Sequence, residues 1–121
     1  PIIVSILKAK IGDLVIIENP ESHLHPRAQS RLATLFALAS SIGIQLIIET
    51  HSDHILNGIR VATKKGLINS EQIKIYYLSK EENKLEIKID SLTIDKDGKI
   101  NENWPKGFFD EYENLLDELL W

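Results

Sequence analysis

Apolar and polar positions follow different periods along this chain, and the changes of period mark its elements. Pro1 at a first-turn position, followed by Ile2, Ile3, Ile6 and Leu7, has the spacing of a short helix over 1–9. Gly12-Asp13 breaks that pattern, and Leu14 to Ile17 are an unbroken apolar run. A buried parallel strand presents such a run because both of its faces are covered. Asn19-Pro20 forces the chain out of the strand. Pro26 suits the first turn of a second helix, in which Ala28, Leu32, Leu35, Phe36, Ala39 and Ile42 form one stripe and Gly43 ends it. Ile44 to Ile48 repeat the strand signal. Ser52 or Asp53 then caps a helix that turns Ile55, Leu56, Ile59 and Ala62 inward and stops at Lys64-Lys65-Gly66. Strand, helix, strand, helix is the alternation of a parallel sheet with right-handed crossovers.

The period changes after Gly66. Ile73 to Leu78 alternate weakly as a third strand, while Leu85, Ile87 and Ile89 alternate cleanly with Glu86, Lys88 and Asp90. The second pattern is that of a half-exposed antiparallel strand. Asp97-Gly98 is a hairpin signal between Leu92-Thr93-Ile94 and Lys99-Ile100. The chain closes on Phe108, Phe109, Tyr112, Leu115, Leu116, Leu119 and Leu120, a helical stripe backed by Asp110, Glu111, Glu113, Asp117 and Glu118. The expected fold class is therefore α/β: a parallel βαβ core over 1–80, then a small α+β extension over 81–121 with antiparallel strands and a C-terminal helix.

Two successive apolar runs end abruptly in ionisable residues, the first in Glu18-Asn-Pro-Glu21 and the second in Glu49-Thr-His51-Ser52. Open α/β sheets bind ligands just beyond the carboxyl ends of their strands. Glu18, Glu21, Glu49 and His51 are thus expected at one sheet edge. A carboxylate there suits a hard divalent cation such as Mg²⁺, which keeps several waters and bridges to phosphate oxygens. Phosphoryl transfer also needs an oriented water and a group facing the γ-phosphate. Glu18 fits the metal role, Glu21 the water role with Glu49 in reserve, and His51 the phosphate contact.

Composition narrows the choice only a little. A formal charge of -4 with no basic block gives no general electrostatic case for nucleic acid. The absence of cysteine excludes disulfides and thiolate metal sites, and suits a reducing, cytoplasmic setting. No apolar run is long enough for a membrane span. The chain contains no methionine, not even an initiator, so it is expected to be a C-terminal piece of a longer protein.

The two strand ends resemble the second half of an ABC-type or AAA-like ATPase head, the group that includes SMC, RecF-like and OLD-like ATPases. Leu14 to Glu18 resemble the Walker B strand and Glu18-Asn-Pro-Glu21 the acidic tetrapeptide that closes it. Ser22-His23-Leu-His25-Pro26 resembles the D-loop, and Glu49-Thr-His51-Ser52 the switch-histidine motif. Trp104-Pro-Lys-Gly-Phe-Phe-Asp110-Glu resembles a small C-terminal domain of unknown function found in one prokaryotic subfamily of these ATPases. The resemblance implies the C-terminal half of a P-loop NTPase core that uses ATP and Mg²⁺, with His51 and Ser52 against the nucleotide. It implies a homodimer with Ser22, His23 and His25 near the interface, and an effector or nucleic acid engaged through the parent protein. The chain departs from the pattern at Asn19, where such heads carry a catalytic glutamate. It also lacks both a G-x-x-x-x-G-K-[ST] loop and a signature segment. Alone, it is expected neither to bind ATP tightly nor to hydrolyse it, its missing partner being the N-terminal half of the same head.

Two other readings compete. His23-x-His25 and His51-x-x-His54 with Asp53 offer imidazole and carboxylate for zinc or manganese, as in a metallohydrolase. Alternatively, the acidic C-terminal helix docks on a partner in a non-catalytic interaction module.

Overall fold

The computed structural model describes residues 1–100 and 118–119. Helix α1 (Ile2–Lys8) leads into strand β1 (Leu14–Glu18), helix α2 (Pro26–Ser41), strand β2 (Gln45–Glu49) and helix α3 (Asp53–Lys64). A 3₁₀ turn (Ser70–Gln72) precedes strands β3 (Ile75–Lys80) and β4 (Ile87–Leu92). The molecule is a mixed α/β fold in which β1 pairs in parallel with β2 and β3 pairs antiparallel with β4. The expected alternation is present, with both core strands reaching their terminal glutamates. The expected C-terminal stripe lies outside the described residues except for Leu119, as does the Trp104 segment.

The main core forms where α1 and α2 cover one face of the parallel sheet. Ile6, Ile17, Leu32, Ala33, Phe36, Ala39, Ile44 and Ile55 are buried together there. The stripe on α2 is wider than its period suggested, since Ala33 and Ala37 are also buried, while Ile42 stays exposed. The reason is the neighbouring helix: Gly58 of α3 comes so close that a Cβ there would lie 2.6 Å from the Ala33 Cβ. Small residues on both helices allow that approach.

The apolar run of β1 predicts a strand covered on both faces, and in the structure it is covered on one. Ile17 is buried, whereas Leu14, Ile16 and, on β2, Ile47 are exposed. Successive side chains point to opposite faces of a strand, so these three line the face opposite the core. On α1, only Ile6 of the four expected apolar positions is buried, and Ile3 and Leu7 face outward.

The second sheet contains the antiparallel strand that the alternation predicts, with its apolar side outward. Leu85, Ile87 and Ile89 do not turn inward; the face of β4 that packs carries Leu92, which joins Leu56 of α3 and Ile75 and Tyr77 of β3 in a separate cluster. Ile87 and Ile89 are exposed, beside Leu78 and Tyr76 on β3. Packing against α3 selected the more polar-looking register, because Leu92 and Tyr77 reach it and Leu85 lies before the strand.

The Asp97-Gly98 turn forms as expected, closed by an antiparallel bridge between Ile94 and Ile100. Asp95 organises it: its Oδ1 accepts from the N–H groups of Asp97 at 2.9 Å and Lys99 at 3.0 Å. Gly98 has φ 79° and abuts α3, where its carbonyl accepts from Arg60 Nε at 2.7 Å. A Cβ on Gly98 would lie 2.4 Å from the Arg60 carbonyl oxygen, a backbone atom that cannot swing aside. Gly98→Ala is therefore expected to cost about 1–3 kcal/mol through a left-handed backbone and a direct clash. Chemical denaturation of the variant checks this; an unchanged midpoint would mean that the hairpin does not dock on α3.

Candidate functional site

The parallel register puts Glu18 directly opposite Glu49, at the carboxyl ends of neighbouring strands. Both carboxylates are exposed. The Asn19 N–H donates to the Glu49 carbonyl at 2.9 Å, continuing the ladder one step past the strand. Asn19 itself has φ 47°, and the chain turns sharply there into Pro20, which is buried. A short amide side chain tolerates this left-handed conformation better than most residues do.

The loop from Asn19 to His25 then folds on itself. Ser22 N–H donates to the Asn19 carbonyl at 3.1 Å and Leu24 N–H to the Glu21 carbonyl at 3.0 Å. His23 is a second left-handed residue, with φ 64°. His25 occupies the cap position of α2, where its side chain makes no capping hydrogen bond. Ser22, His23 and His25 are all exposed.

Glu21 behaves differently from the other acids. Its Oε2 accepts from the Thr50 hydroxyl at 2.7 Å and its Oε1 from the His51 N–H at 2.9 Å. Thr50 Oγ1 in turn accepts from the Ser52 N–H at 3.0 Å. Ser52 caps α3, its Oγ accepting from the Ile55 N–H at 3.1 Å while its hydroxyl donates to Gln29 Oε1. Gln29 Nε2 completes the chain by donating to the Leu24 carbonyl at 3.0 Å. One network thus joins the loop after β1 to the turn after β2.

The electrostatics of Glu21 follow from that network. Partial burial works against its charge, but the N–H groups of His51 and of Glu21 itself, the Thr50 hydroxyl and the nearby His51 outweigh it. They hold the Glu21 carboxyl below the usual glutamate range. The sign of the pH effect follows. With a folded value below the unfolded one, the stabilisation is complete above the ordinary glutamate pKa and is lost as pH falls through the folded value. Glu21→Gln is therefore expected to be less stable than the native chain near neutral pH and equally stable in strong acid. Denaturation midpoints across that range check it, and a gap that persists in acid would show that charge is not the cause.

His51 reaches back over the sheet edge, with Nε2 3.2 Å from Glu49 Oε1, both side chains well exposed. The edge therefore offers an open pair of carboxylates, an imidazole on one of them, and a third carboxylate engaged beneath. Among the described residues, no group of three or more His, Cys, Asp or Glu side chains converges as a metal site. No helix among the described residues is long and apolar enough to cross a membrane.

Sequence reasoning placed Glu18, Glu21, Glu49 and His51 at one edge, and the structure brings them there. It missed Thr50 and Gln29, which hold the two loops together. The hydroxyl between Glu49 and His51 was a visible signal; nothing about Gln29, one turn into α2, marked it out.

Residues 1–57 match the family described as "AAA domain, putative AbiEii toxin, Type IV TA system". Residues 68–119 match a family described as a protein of unknown function (DUF3696). No curated protein and no solved structure gives a match to this chain. The first match ends within α3 and the second begins just after that helix, between the parallel and the antiparallel sheet. The two matches thus divide the chain into a first segment similar to an AAA domain and a C-terminal segment similar to a family of unknown function, DUF3696.

Proposed function

We propose that this chain is the C-terminal half of an ABC-type ATPase head and that its parallel-strand edge is half of an ATP-hydrolysing site. The observation that carries the reading is the register of Glu18 against Glu49, which sets two open carboxylates side by side at the strand ends with His51 on one of them. Mg²⁺ is held by one or two carboxylates together with waters and substrate phosphates, and this pair fits that demand. In the proposed site Glu18 carries the metal role and His51 faces the γ-phosphate. The sequence pattern points to Glu21 for the water, but both of its oxygens accept hydrogen bonds and its lowered pKa makes it a weak base. Glu49, beside His51, is therefore the better candidate for orienting water, with Glu21 as the support beneath. Asn19 in the usual place of the catalytic glutamate implies slow turnover.

The P-loop and signature segment belong, in this reading, to the N-terminal half of the head. Adding that half should create ATP hydrolysis that the 121-residue chain alone lacks. Hydrolysis by neither form would remove the reading.

The uncovered apolar surface supports the same division. Leu14, Ile16 and Ile47 on the sheet, with Ile3, Val4 and Leu7 on α1, are exposed. Parallel sheets are covered on both faces in α/β proteins, and contiguous exposed apolar surface drives association. The isolated chain is expected to form dimers or larger species by light scattering. A monodisperse monomer at high concentration would show that this face needs no cover. In the complete head, the dimer closed by nucleotide would bring Ser22, His23 and His25 near the partner copy and couple turnover to an effector or nucleic acid.

A further inference from the structure

We propose that Glu21 is a positioning residue that locks the turn after β2 to the loop after β1, so that the place of His51 is set by the loop that carries His23 and His25. The consequence for ATP turnover rests on the function proposed above; the lock itself does not.

Three features carry the inference. The first is the bidentate use of one carboxylate: the Thr50 hydroxyl and the His51 N–H take separate oxygens of Glu21, 29 and 30 residues away in sequence. Hydrogen bonds to a charged acceptor are roughly twice as strong as neutral ones, so this pair is the strongest tie between the two loops. The second is a return path through different atoms. Ser52 donates to Gln29, and Gln29 donates to the Leu24 carbonyl, so the two loops are joined at both ends of the same short turn. The third is geometric. Asn19 and His23 are left-handed, on either side of Glu21. Two left-handed residues that are not glycine persist where their surroundings fix them, and the carboxylate between them hydrogen-bonds across to the turn after β2.

The His51 backbone is thereby pinned through its own N–H, two residues from Glu49, while its exposed imidazole meets Glu49 at the edge. A shift of the His23–His25 loop would pass to His51 through Glu21 and Thr50 without any movement of the strands. A carboxylate serving as a base would need one oxygen free; a positioning carboxylate needs both occupied, as here.

The test uses the 121-residue chain, with amide hydrogen exchange and the imidazole resonances of His23 and His25 as readouts. Glu21→Ala should speed exchange at the His51 amide by about tenfold or more and leave the amides of β1 and β2 unchanged. Thr50→Val should move the His23 and His25 resonances, and the double variant should show less than the sum of the two effects. If Glu21→Ala unfolds the chain, Thr50→Val carries the test by itself. Unchanged exchange at His51, or resonances of His23 and His25 blind to Thr50→Val, would overturn the lock.

A second arm, in the complete head, separates positioning from chemistry. Glu21→Gln keeps an acceptor for the His51 N–H and should restore most of the kcat lost in Glu21→Ala, while Thr50→Val should lower kcat with little change in KM. If instead Glu21→Gln is as inactive as Glu21→Ala and Thr50→Val is fully active, Glu21 is the base and the inference fails. A complete head that shows the exchange and resonance effects but no ATP turnover would leave the lock standing and remove the nucleotide reading.

Discussion

Glu18→Gln and His51→Ala, each placed in a complete head containing this chain, are expected to lower ATP turnover by about 10²-fold or more while leaving ATP binding within a few-fold. The two substitutions remove different things. Glu18→Gln keeps the shape of the side chain and deletes its charge at the end of β1, opposite Glu49. A hard cation needs that charge most when negative charge builds on the transferring phosphoryl oxygens. His51→Ala deletes an exposed imidazole and its contact to Glu49, and leaves its N–H available to Glu21. Neither side chain is packed in the core, so stability should change little, within the range usual for surface substitutions. Steady-state hydrolysis paired with binding of a fluorescent ATP analogue gives the comparison. Equal losses in binding and turnover would show that these residues shape the site and take no part in its chemistry.

Phe36→Ala carries the largest expected effect on stability. Phe36 lies in the main core at 2 % exposure, between the parallel sheet and the helix pair. Truncating a buried phenylalanine costs about 3–5 kcal/mol, part from lost transfer energy and part from the cavity left behind. The total stability of a domain is only about 5–15 kcal/mol, and this core is a small one supported by a two-stranded sheet. The variant is expected to be largely unfolded or to bind hydrophobic dye near its native transition temperature. The small residues around the site sharpen the expectation: Ala33, Ala37 and Gly58 fix the spacing of α2 and α3 by close contact and cannot swing inward to fill the gap. A loss below about 1 kcal/mol would mean that the helices close up over the missing ring.

Much of this architecture was legible in the sequence, because local signals and tertiary packing agree across residues 1–66. Pro26 starts a helix, Gly43 follows its end, Ser52 caps the next, and each apolar run becomes a strand. The carboxylate edge was legible for the same reason, since a strand that ends in Glu18 or Glu49 delivers it to a known place. The second sheet was less legible. Alternation predicts which residues share a face but not which face is buried, and the choice fell to contacts with α3 that no local pattern encodes. The role of Glu21 was hidden for a related reason: Thr50 and His51 lie about thirty residues away, and their approach exists only once the strands have paired in register. A two-faced cover for β1 was expected from its apolar run, and the uncovered face is itself informative, because the run reads as though written for a larger sheet.

The flush register of β1 and β2 also constrains how such a chain varies in length. Sliding β2 by one residue would turn its core side chains to the open face and carry Glu49 out of line with Glu18. Adding one residue inside α2 would rotate the rest of that helix by about 100° and break its contact with Gly58. Gains and losses of residues should therefore be absent between Leu14 and His51. They should gather instead at 81–86, where every residue is exposed and the only ties are local, such as the Lys84–Glu81 ion pair at 3.1 Å. An aligned set of relatives would show the site as a stretch of fixed length and the β3–β4 connection as the place where length drifts.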